Sequence, residues 1–295
     1  MSNQKIGITS DSSSSLAYAP FKHDVRITRT TIRFGEKQYM DGVDITADSF
    51  YDLLEKSDVM PSTAAPSPEE IIGRATELRD EGCTDVIHFP ISFALSSYGE
   101  NLLNLKDDYV EGVNYHVFNP RTGAMIEGYC AHYAEILAKK GYSVEEIFDE
   151  CEKFVNSSCT YLLVDDLKFL VKGGRLNAAS GLIGSLMRIK PILKLDKKGT
   201  IDPFEKVRTH AKAIERMFEI IKEDTKDAKE VLFVVQHSQR LEEGQAIKER
   251  FEKEFPNCAK ATLSTITPTI GCHIGSHVIG MSYIILDNLK EGKDL

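Results

Sequence analysis

The side chains in this sequence best suited to binding chemistry are hydroxyls that follow short apolar segments. They occur in three groups, at Ser12–Ser15, Ser62–Thr63 and Ser96–Ser97. Hydroxyl groups at the carboxyl ends of strands lie where open α/β sheets bind ligands, and they hold a carboxylate without reacting with it. A solvated turn or a helix start explains the first group equally well. The role of Ser12–Ser15 therefore stays open at this point.

A second candidate is the stretch GCHIGSH near the end of the chain. His273 and His277 are four residues apart, which would place both imidazoles on one face of a helix, where they would suit a metal ion. Gly271 and Gly275 argue against a helix, because glycine weakens helices. We therefore expect a glycine-rich loop in which His273 donates a hydrogen bond to an anion. A hydrolase or a metal-dependent enzyme that uses both histidines is the alternative.

Two separate arginines, Arg175 and Arg208, complete the set of candidate residues. Arg175 follows Gly173 and Gly174, and a guanidinium beside flexible backbone suits a phosphate or a carboxylate of a partner. The competing interpretation is a surface salt bridge. The sequence contains no phosphate-binding loop, no dinucleotide fingerprint, no Gly-x-Ser-x-Gly elbow and no His-Glu-x-x-His. We therefore expect no cofactor and no bound metal; the residues permit a carrier of a carboxylate ligand, and they permit other functions as well.

Composition limits the class of protein. The chain has 295 residues, of which 42% are hydrophobic and 27% charged, as in ordinary globular proteins. The net charge of −9 argues against nucleic acid as the main partner. No apolar run is long enough to span a membrane, and no secretory signal is visible. We expect a cytoplasmic protein whose six scattered cysteines are reduced thiols.

The predicted elements that must position these side chains fall into two parts. Strands and helices alternate up to residue 156, which predicts an α/β fold with a largely parallel sheet. The later segments, including a predicted hairpin that turns at Lys198–Gly199, indicate a mixed or antiparallel sheet. We therefore predict an N-terminal α/β domain at residues 1–157 and a C-terminal α/β domain at 158–295. A further helix is predicted at 177–189, within NAASGLIGSLMRI.

Taken as a whole, the sequence resembles the DegV family, which comprises bacterial two-domain fatty-acid-binding proteins. The resemblance extends over about residues 5–286, and six blocks carry it in the family's order. The blocks are IGITSDSSSSL, YMDGVDITADSFYDLL with MPSTAAPSPEEI, ISFALSSYGENL, LKFLVKGGRLNAASGLIGSLMRIKPIL, GTIDPFEKVRT and IGCHIGSHVIG.

The resemblance implies a ligand and a partner. It implies a long-chain fatty acid in a tunnel between the domains, with its carboxylate held by Thr63, Ser96 and His273. It also implies that a separate fatty acid kinase phosphorylates the carboxyl group to an acyl phosphate, with Arg175 and Arg208 facing the phosphate or the kinase. Such a carrier is not itself an enzyme, and it would contact membranes only transiently to exchange lipid. Further loop contacts are expected from Ser12, Ser62 and Ser97.

The sequence also departs from the family pattern. The family's Ser-Gly-Thr turn reads Ser96-Ser97-Tyr98, and its His-x-Gly-Pro-Gly turn reads His273-Ile274-Gly275-Ser276-His277. Ala65 replaces a glutamine, and Asn119-Pro120 replaces Asp-Ser. A binder of a different acyl ligand, weaker coupling to a kinase, and a binder that has lost the acid site are therefore alternatives.

Overall fold

The computed structural model describes residues 4–105, 110–176 and 190–295, so the helix predicted at 177–189 lies outside the described residues. The described helices are α1 Ala47–Lys56, α2 Pro68–Asp80, α3 Tyr98–Leu105, α4 Ala124–Lys139, α5 Val144–Asn156, α6 Lys168–Lys172, α7 His210–Asp224, α8 Leu241–Glu254 and α9 Pro268–Ile274. The described strands are β1 Ile6–Asp11, β2 Arg26–Thr28, β3 Thr31–Phe34, β4 Lys37–Met40, β5 Ser62–Ala64, β6 Asp85–Phe89, β7 Asn114–Val117, β8 Ser158–Leu163, β9 Lys190–Leu195, β10 Ile201–Val207, β11 Val231–His237, β12 Cys258–Thr265 and β13 Ile279–Ile285.

The N-terminal part contains a four-stranded parallel sheet in the order β2-β1-β6-β7. Its central strands, β1 and β6, are buried almost throughout, which is typical of parallel strands that are covered on both faces. Because the strands are parallel, the segments after β1 and β6 leave the sheet at the same edge. That edge carries Asp11 and the serine tract, as well as the segment 90–97.

The C-terminal part contains a six-stranded sheet in the order β10-β9-β8-β13-β11-β12. Only β11 and β12 pair in parallel, and the other neighbours are antiparallel. The predicted hairpin is confirmed, since β9 and β10 pair across a turn in which Gly199 has a positive φ of 83°. The α/β fold class, with a parallel sheet followed by a mixed sheet, is confirmed.

A third sheet was not predicted. Strands β4, β3 and β5 form an antiparallel unit in which Ile32 pairs with Thr63. The segment 61–70 contains three prolines, a composition more typical of a break between elements than of a strand. These prolines (Pro61, Pro66 and Pro68) lie outside β5, so the backbone of Ser62–Ala64 remains free to pair.

Helices α4 and α5 connect the two parts of the chain. Ser143 and Glu146 form a capping box at the start of α5, and the Ser67 side chain caps α2 by accepting a hydrogen bond from the backbone N–H of Glu70. One apolar cluster joins residues of α4 and α5 to β1 and β6 of the parallel sheet and to Leu232 and Val234 of β11. The boundary predicted near residue 157 coincides with the connection from α5 to β8, and the division into two domains stays a prediction. None of the described helices combines the length and the apolar character that a membrane span requires.

Candidate functional site

A largely apolar pocket lies where the edge of the parallel sheet faces the six-stranded sheet. One wall comes from the segments after β1 and β6, and another from β5 and α9. The face of the six-stranded sheet completes it. The apolar lining includes Ile91, Leu95, Leu162, Leu170, Leu195, Ile201, Ile266, Ile270 and Ile274. Polar atoms provide only a minor share of the pocket surface, so the positions of the polar side chains indicate what the pocket binds.

Thr63 and His273 meet at this pocket. The Oγ1 atom of Thr63 lies 2.9 Å from Nε2 of His273, and both residues line the pocket. Strand β5 holds Thr63 by pairing with β3, and α9 holds His273. Two residues predicted to bind one carboxylate are thus hydrogen-bonded to each other at an apolar cavity.

The structure corrects the prediction that His273 lies in a glycine-rich loop. It lies on the short helix α9, which contains Gly271 and ends at Gly275 with a φ of 82°. Gly271 is accommodated because α9 packs closely on α1: a Cβ atom at this position would lie 2.7 Å from the Phe50 ring and from the Tyr51 hydroxyl. Sequence reasoning took this glycine as a helix breaker, whereas tertiary packing requires it.

The helix α9 begins against a buried carboxylate. Asp41 accepts hydrogen bonds from both the backbone N–H and the hydroxyl of Thr269, in the first turn of the helix. Burial raises the pKa of Asp41 to about 6, although these hydrogen bonds oppose the change. Asp41 follows β4, so the small third sheet positions both Thr63 and the start of the helix that carries His273.

Electrostatics keep His273 neutral. Burial, together with the nearby positive charge of Arg175, lowers the pKa of His273 to about 4. A neutral imidazole has one donor and one acceptor nitrogen, and the Thr63 hydroxyl complements either one. The pair therefore offers hydrogen-bond donors to an anion without carrying a charge of its own.

Ser96 and Arg175 line the same pocket. The backbone of Ser96 is fixed by a hydrogen bond to Ser92, and its hydroxyl accepts one from the backbone N–H of Tyr98 at 3.2 Å. The guanidinium of Arg175 donates to the carbonyls of Leu95 and Gly173. These contacts hold Arg175 beside the segment that carries Ser96. Thr63, Ser96, His273 and Arg175 thus share one pocket.

The remaining predicted residues lie elsewhere. Arg208 is exposed and lines a separate surface depression with Glu205 and Arg216. Ser12 is buried and bonds to the backbone of Thr28 and Thr30 instead of lining the pocket. Ser62 and Ser97 are exposed and are not part of the pocket lining.

His277 does not join His273. Its Nε2 atom lies 2.9 Å from a carboxylate oxygen of Glu55, and it is not part of the pocket lining. Over the ranges 4–105, 110–176 and 190–295, no group of three or more His, Cys, Asp or Glu residues is placed to hold a metal ion.

Sequence reasoning missed several polar residues of the pocket. Asp11 lines it and accepts hydrogen bonds from the backbone N–H groups of Ser13 and Ile91, and burial raises its pKa. Ser13 also lines the pocket and donates to Glu127. Their position directly after β1 was a usable signal, but the four consecutive serines gave no means of selecting Ser13. The other missed polar residues are Thr30, Tyr98, Thr160, Gln236 and Thr269.

Comparison with known sequences gives a consistent result. The family model described as "uncharacterised protein, DegV family" matches residues 5–286. A DegV domain-containing protein of Staphylococcus aureus (strain COL) is 32% identical over 282 residues, which cover 95% of this chain and 97% of the relative. Protein DegV of Bacillus subtilis (strain 168) is 31% identical over 283 residues, covering 94% and 98%.

Solved structures agree with this result. A crystal structure of DegV from Bacillus subtilis, described as a fatty acid binding protein, has a TM-score of 0.85 and 30% identity, covering 96% of this chain and 100% of that one. A fatty acid binding DegV family protein from Streptococcus agalactiae has a TM-score of 0.85 and 27% identity, covering 95% and 99%. The family match over nearly the whole length, together with these relatives, shows that the chain belongs to the DegV family.

Proposed function

We propose that this chain is a non-catalytic carrier that binds a long-chain fatty acid in the pocket and presents its carboxylate to a separate fatty acid kinase. The observation that carries the proposal is the hydrogen-bonded pair of Thr63 and His273 at a largely apolar cavity. The descriptions of the Bacillus subtilis and Streptococcus agalactiae proteins as fatty acid binding support the same ligand class.

The head of the ligand would be held by neutral donors. In one arrangement His273 donates to Thr63, which leaves the Thr63 hydroxyl hydrogen for a carboxylate oxygen. Ser96 would contribute a second hydroxyl, and Arg175 a positive charge nearby. Hydrogen bonds to a charged group are worth about 1.5–3 kcal/mol each, which is enough to fix the orientation of the ligand.

The same pair is poorly suited to nucleophilic catalysis. A histidine that activates a hydroxyl needs a pKa near the working pH. The pKa of His273 is lowered to about 4, so its imidazole is a weak base. This property favours binding without turnover over the alternative of a stand-alone hydrolase.

The tail of the ligand would occupy the apolar part of the pocket. Eight of the apolar lining residues belong to one cluster, with Leu162, Leu170, Ile201, Ile266 and Ile274 buried within it and Leu95, Leu195 and Ile270 packed against it. Each methylene moved from water into such surroundings contributes about 0.8 kcal/mol. A long acyl chain would therefore remain bound through purification.

Presentation to a kinase is the further part of the proposal. Arg175 would face the phosphate that forms on the ligand, because it lines the pocket beside Ser96. Arg208 would contact the kinase, because it is exposed outside the pocket. On this view the ligand lies between the parts 1–157 and 158–295, in a cytoplasmic carrier that touches membranes only to exchange lipid.

Two assays test the proposal. The delipidated chain is titrated with octadecanoic acid and with the alcohol of equal length; the acid should bind about tenfold or more tightly, since only it carries the charged oxygens. Equal affinity would refute the carboxylate site.

With a bacterial fatty acid kinase subunit and ATP, the loaded chain should yield acyl phosphate. Arg208→Ala should slow the formation of acyl phosphate without weakening fatty acid binding. Arg216→Ala, in the same depression, should not slow it. Absence of acyl phosphate would refute the kinase role.

A further inference from the structure

A second polar group interrupts the apolar wall of the pocket, on elements other than those that carry Thr63, Ser96 and His273. It consists of Gln236 on β11, Ser282 on β13 and Thr160 on β8, which we call the Gln236–Ser282–Thr160 cluster. Each of these side chains is more than nine-tenths buried. Gln236 and Thr160 line the pocket. Buried polar groups on an apolar surface are costly unless they find partners, so the cluster requires an explanation.

The hydrogen bonds of the cluster allow an arrangement in which its two pocket-lining side chains keep donor hydrogens for a ligand. The Oε1 atom of Gln236 accepts from the backbone N–H of Met125 at 2.7 Å, which leaves Nε2 to donate. Nε2 lies 3.4 Å from the Ser282 hydroxyl, and that hydroxyl lies 3.0 Å from the Thr160 hydroxyl. When Ser282 accepts from Gln236 and donates to Thr160, the hydrogen of Thr160 and the second amide hydrogen of Gln236 have no partner in the described part of the chain.

The start of helix α4 adds to this donor character. This 16-residue helix begins at Ala124, and both Ala124 and the preceding residue, Gly123, line the pocket. Gly123 provides no side-chain cap. Free N–H groups and the positive end of the helix dipole favour an oxygen atom. Gln236 contacts the same turn through Met125. The cluster and the helix start therefore present hydrogen-bond donors at one place in the wall.

We propose that this cluster binds an oxygen atom carried along the acyl chain, so that the pocket takes fatty acids bearing a hydroxyl or keto group. The inference rests on the proposed function, because it presupposes that an acyl chain lies in the pocket. A plain methylene opposite the cluster would leave the donors of Thr160 and Gln236 unpaired. An acyl oxygen at the matching position would accept from them, whereas a wall of leucine and isoleucine alone would bind the same oxygen less tightly, because it would leave that oxygen without a hydrogen bond.

The test compares octadecanoic acid with a series of monohydroxy-octadecanoic acids in which the hydroxyl moves along the chain. The delipidated full-length protein should bind one positional isomer at least as tightly as octadecanoic acid. Thr160→Val should weaken binding of that isomer about tenfold, in line with the loss of one buried hydrogen bond, and should not weaken binding of octadecanoic acid, which makes no hydrogen bond to this side chain. Thr160→Ser retains the hydroxyl and should restore the preference.

Thr267→Val is the matched control, since Thr267 is also buried, its hydroxyl has no hydrogen-bond partner among the described residues, and it is not in the pocket lining. Thermal melting of each variant confirms that it folds. If every hydroxy acid binds more weakly than octadecanoic acid, or if Thr160→Val weakens both ligands equally, the inference is wrong while fatty acid binding stands. If no acid binds, the proposed function fails with it.

Discussion

Thr63 and His273 are separated by 210 positions in the chain, yet their side chains lie 2.9 Å apart. Strand β5 brings the threonine to the pocket, and helix α9 brings the histidine. The contact joins an N-terminal and a C-terminal element at one end of an apolar cavity. A ligand carboxylate placed there would bridge the two parts of the protein.

Removal of the Thr63 hydroxyl should reduce fatty acid affinity. Thr63→Val preserves the shape and favours the β conformation, but it removes the donor to the carboxylate. We expect a loss of about tenfold or more in affinity, measured by calorimetric titration of the delipidated chain. Ser96→Ala should act in the same direction.

Ser62→Ala is the control for this pair of variants. Ser62 precedes Thr63 on the same strand but is exposed and outside the pocket lining. The Ser62→Ala variant should therefore bind fatty acid with the same affinity as the unmodified chain. Unchanged affinity in Thr63→Val, or an equal loss in Ser62→Ala, would remove Thr63 from the binding site.

The imidazole of His273 should stay neutral in mildly acidic solution. Its pKa is about 4 in the folded chain, below the value of about 6.5 expected after unfolding. The folded chain therefore binds fewer protons between these values, and His273 contributes stability that is present above pH about 6.5 and is lost as the pH falls toward 4. An NMR titration of the His273 ring in the ligand-free chain should show a midpoint near 4. A midpoint near 6.5 would mean that the ring is solvated and not held as described.

Asp41 should produce the opposite pH dependence. Its pKa is raised from 3.8 to about 6 in the folded chain, so folding favours the protonated form. This contribution to stability is present below pH about 4 and is lost as the pH rises through 6, by up to about 3 kcal/mol. Asp41→Asn cannot ionise but keeps an oxygen that accepts from Thr269.

Urea denaturation of both proteins at several pH values between 4 and 8 measures this difference. The unmodified chain should become less stable relative to Asp41→Asn as the pH increases. A constant difference between the two proteins across the range would show that Asp41 has an ordinary pKa.

The close packing of α9 on α1 should make Gly271 intolerant of a methyl group. A Cβ atom at this position would lie 2.7 Å from Phe50 and Tyr51, so Gly271→Ala should lower the free energy of unfolding by about 1–3 kcal/mol. Gly73 is the matched control: it lies within α2 and has open space around it, so Gly73→Ala should stabilise the chain by about 0.5–1 kcal/mol. Equal responses in thermal and urea denaturation would argue against the packing of α9 that positions His273.

The sequence was sufficient to predict features that depend on local patterns. Runs that include apolar residues mark β1, β6 and β11, and Ser67 and Ser143 are of a residue type preferred at helix starts, where they cap α2 and α5. The resemblance to a known family identified Thr63, Ser96 and His273, which the structure places at one pocket. Their roles in holding a carboxylate, and those of Arg175 and Arg208, stay predictions.

Features that depend on tertiary contacts were not predictable. Strand β5 is short and flanked by prolines, and it forms because β3 offers it a partner. The helix α9 requires glycine at position 271 because two aromatic side chains leave no room for a larger residue. Gln236 and Thr160 lie in ordinary strand segments, and only the order of strands in the six-stranded sheet brings them together. No local signal in the sequence distinguishes these residues from their neighbours.

The most direct test of the carrier role is denaturing mass spectrometry of an organic extract from the purified chain. We predict a fatty acid in roughly equimolar amount to the protein, since an acyl chain buried at about 0.8 kcal/mol per methylene dissociates rarely. The loss of this lipid from a Thr63→Val sample, but not from Ser62→Ala, would place its carboxylate at the Thr63–His273 pair. An extract free of fatty acid, from a protein that takes up none when fatty acids are added, would contradict the account.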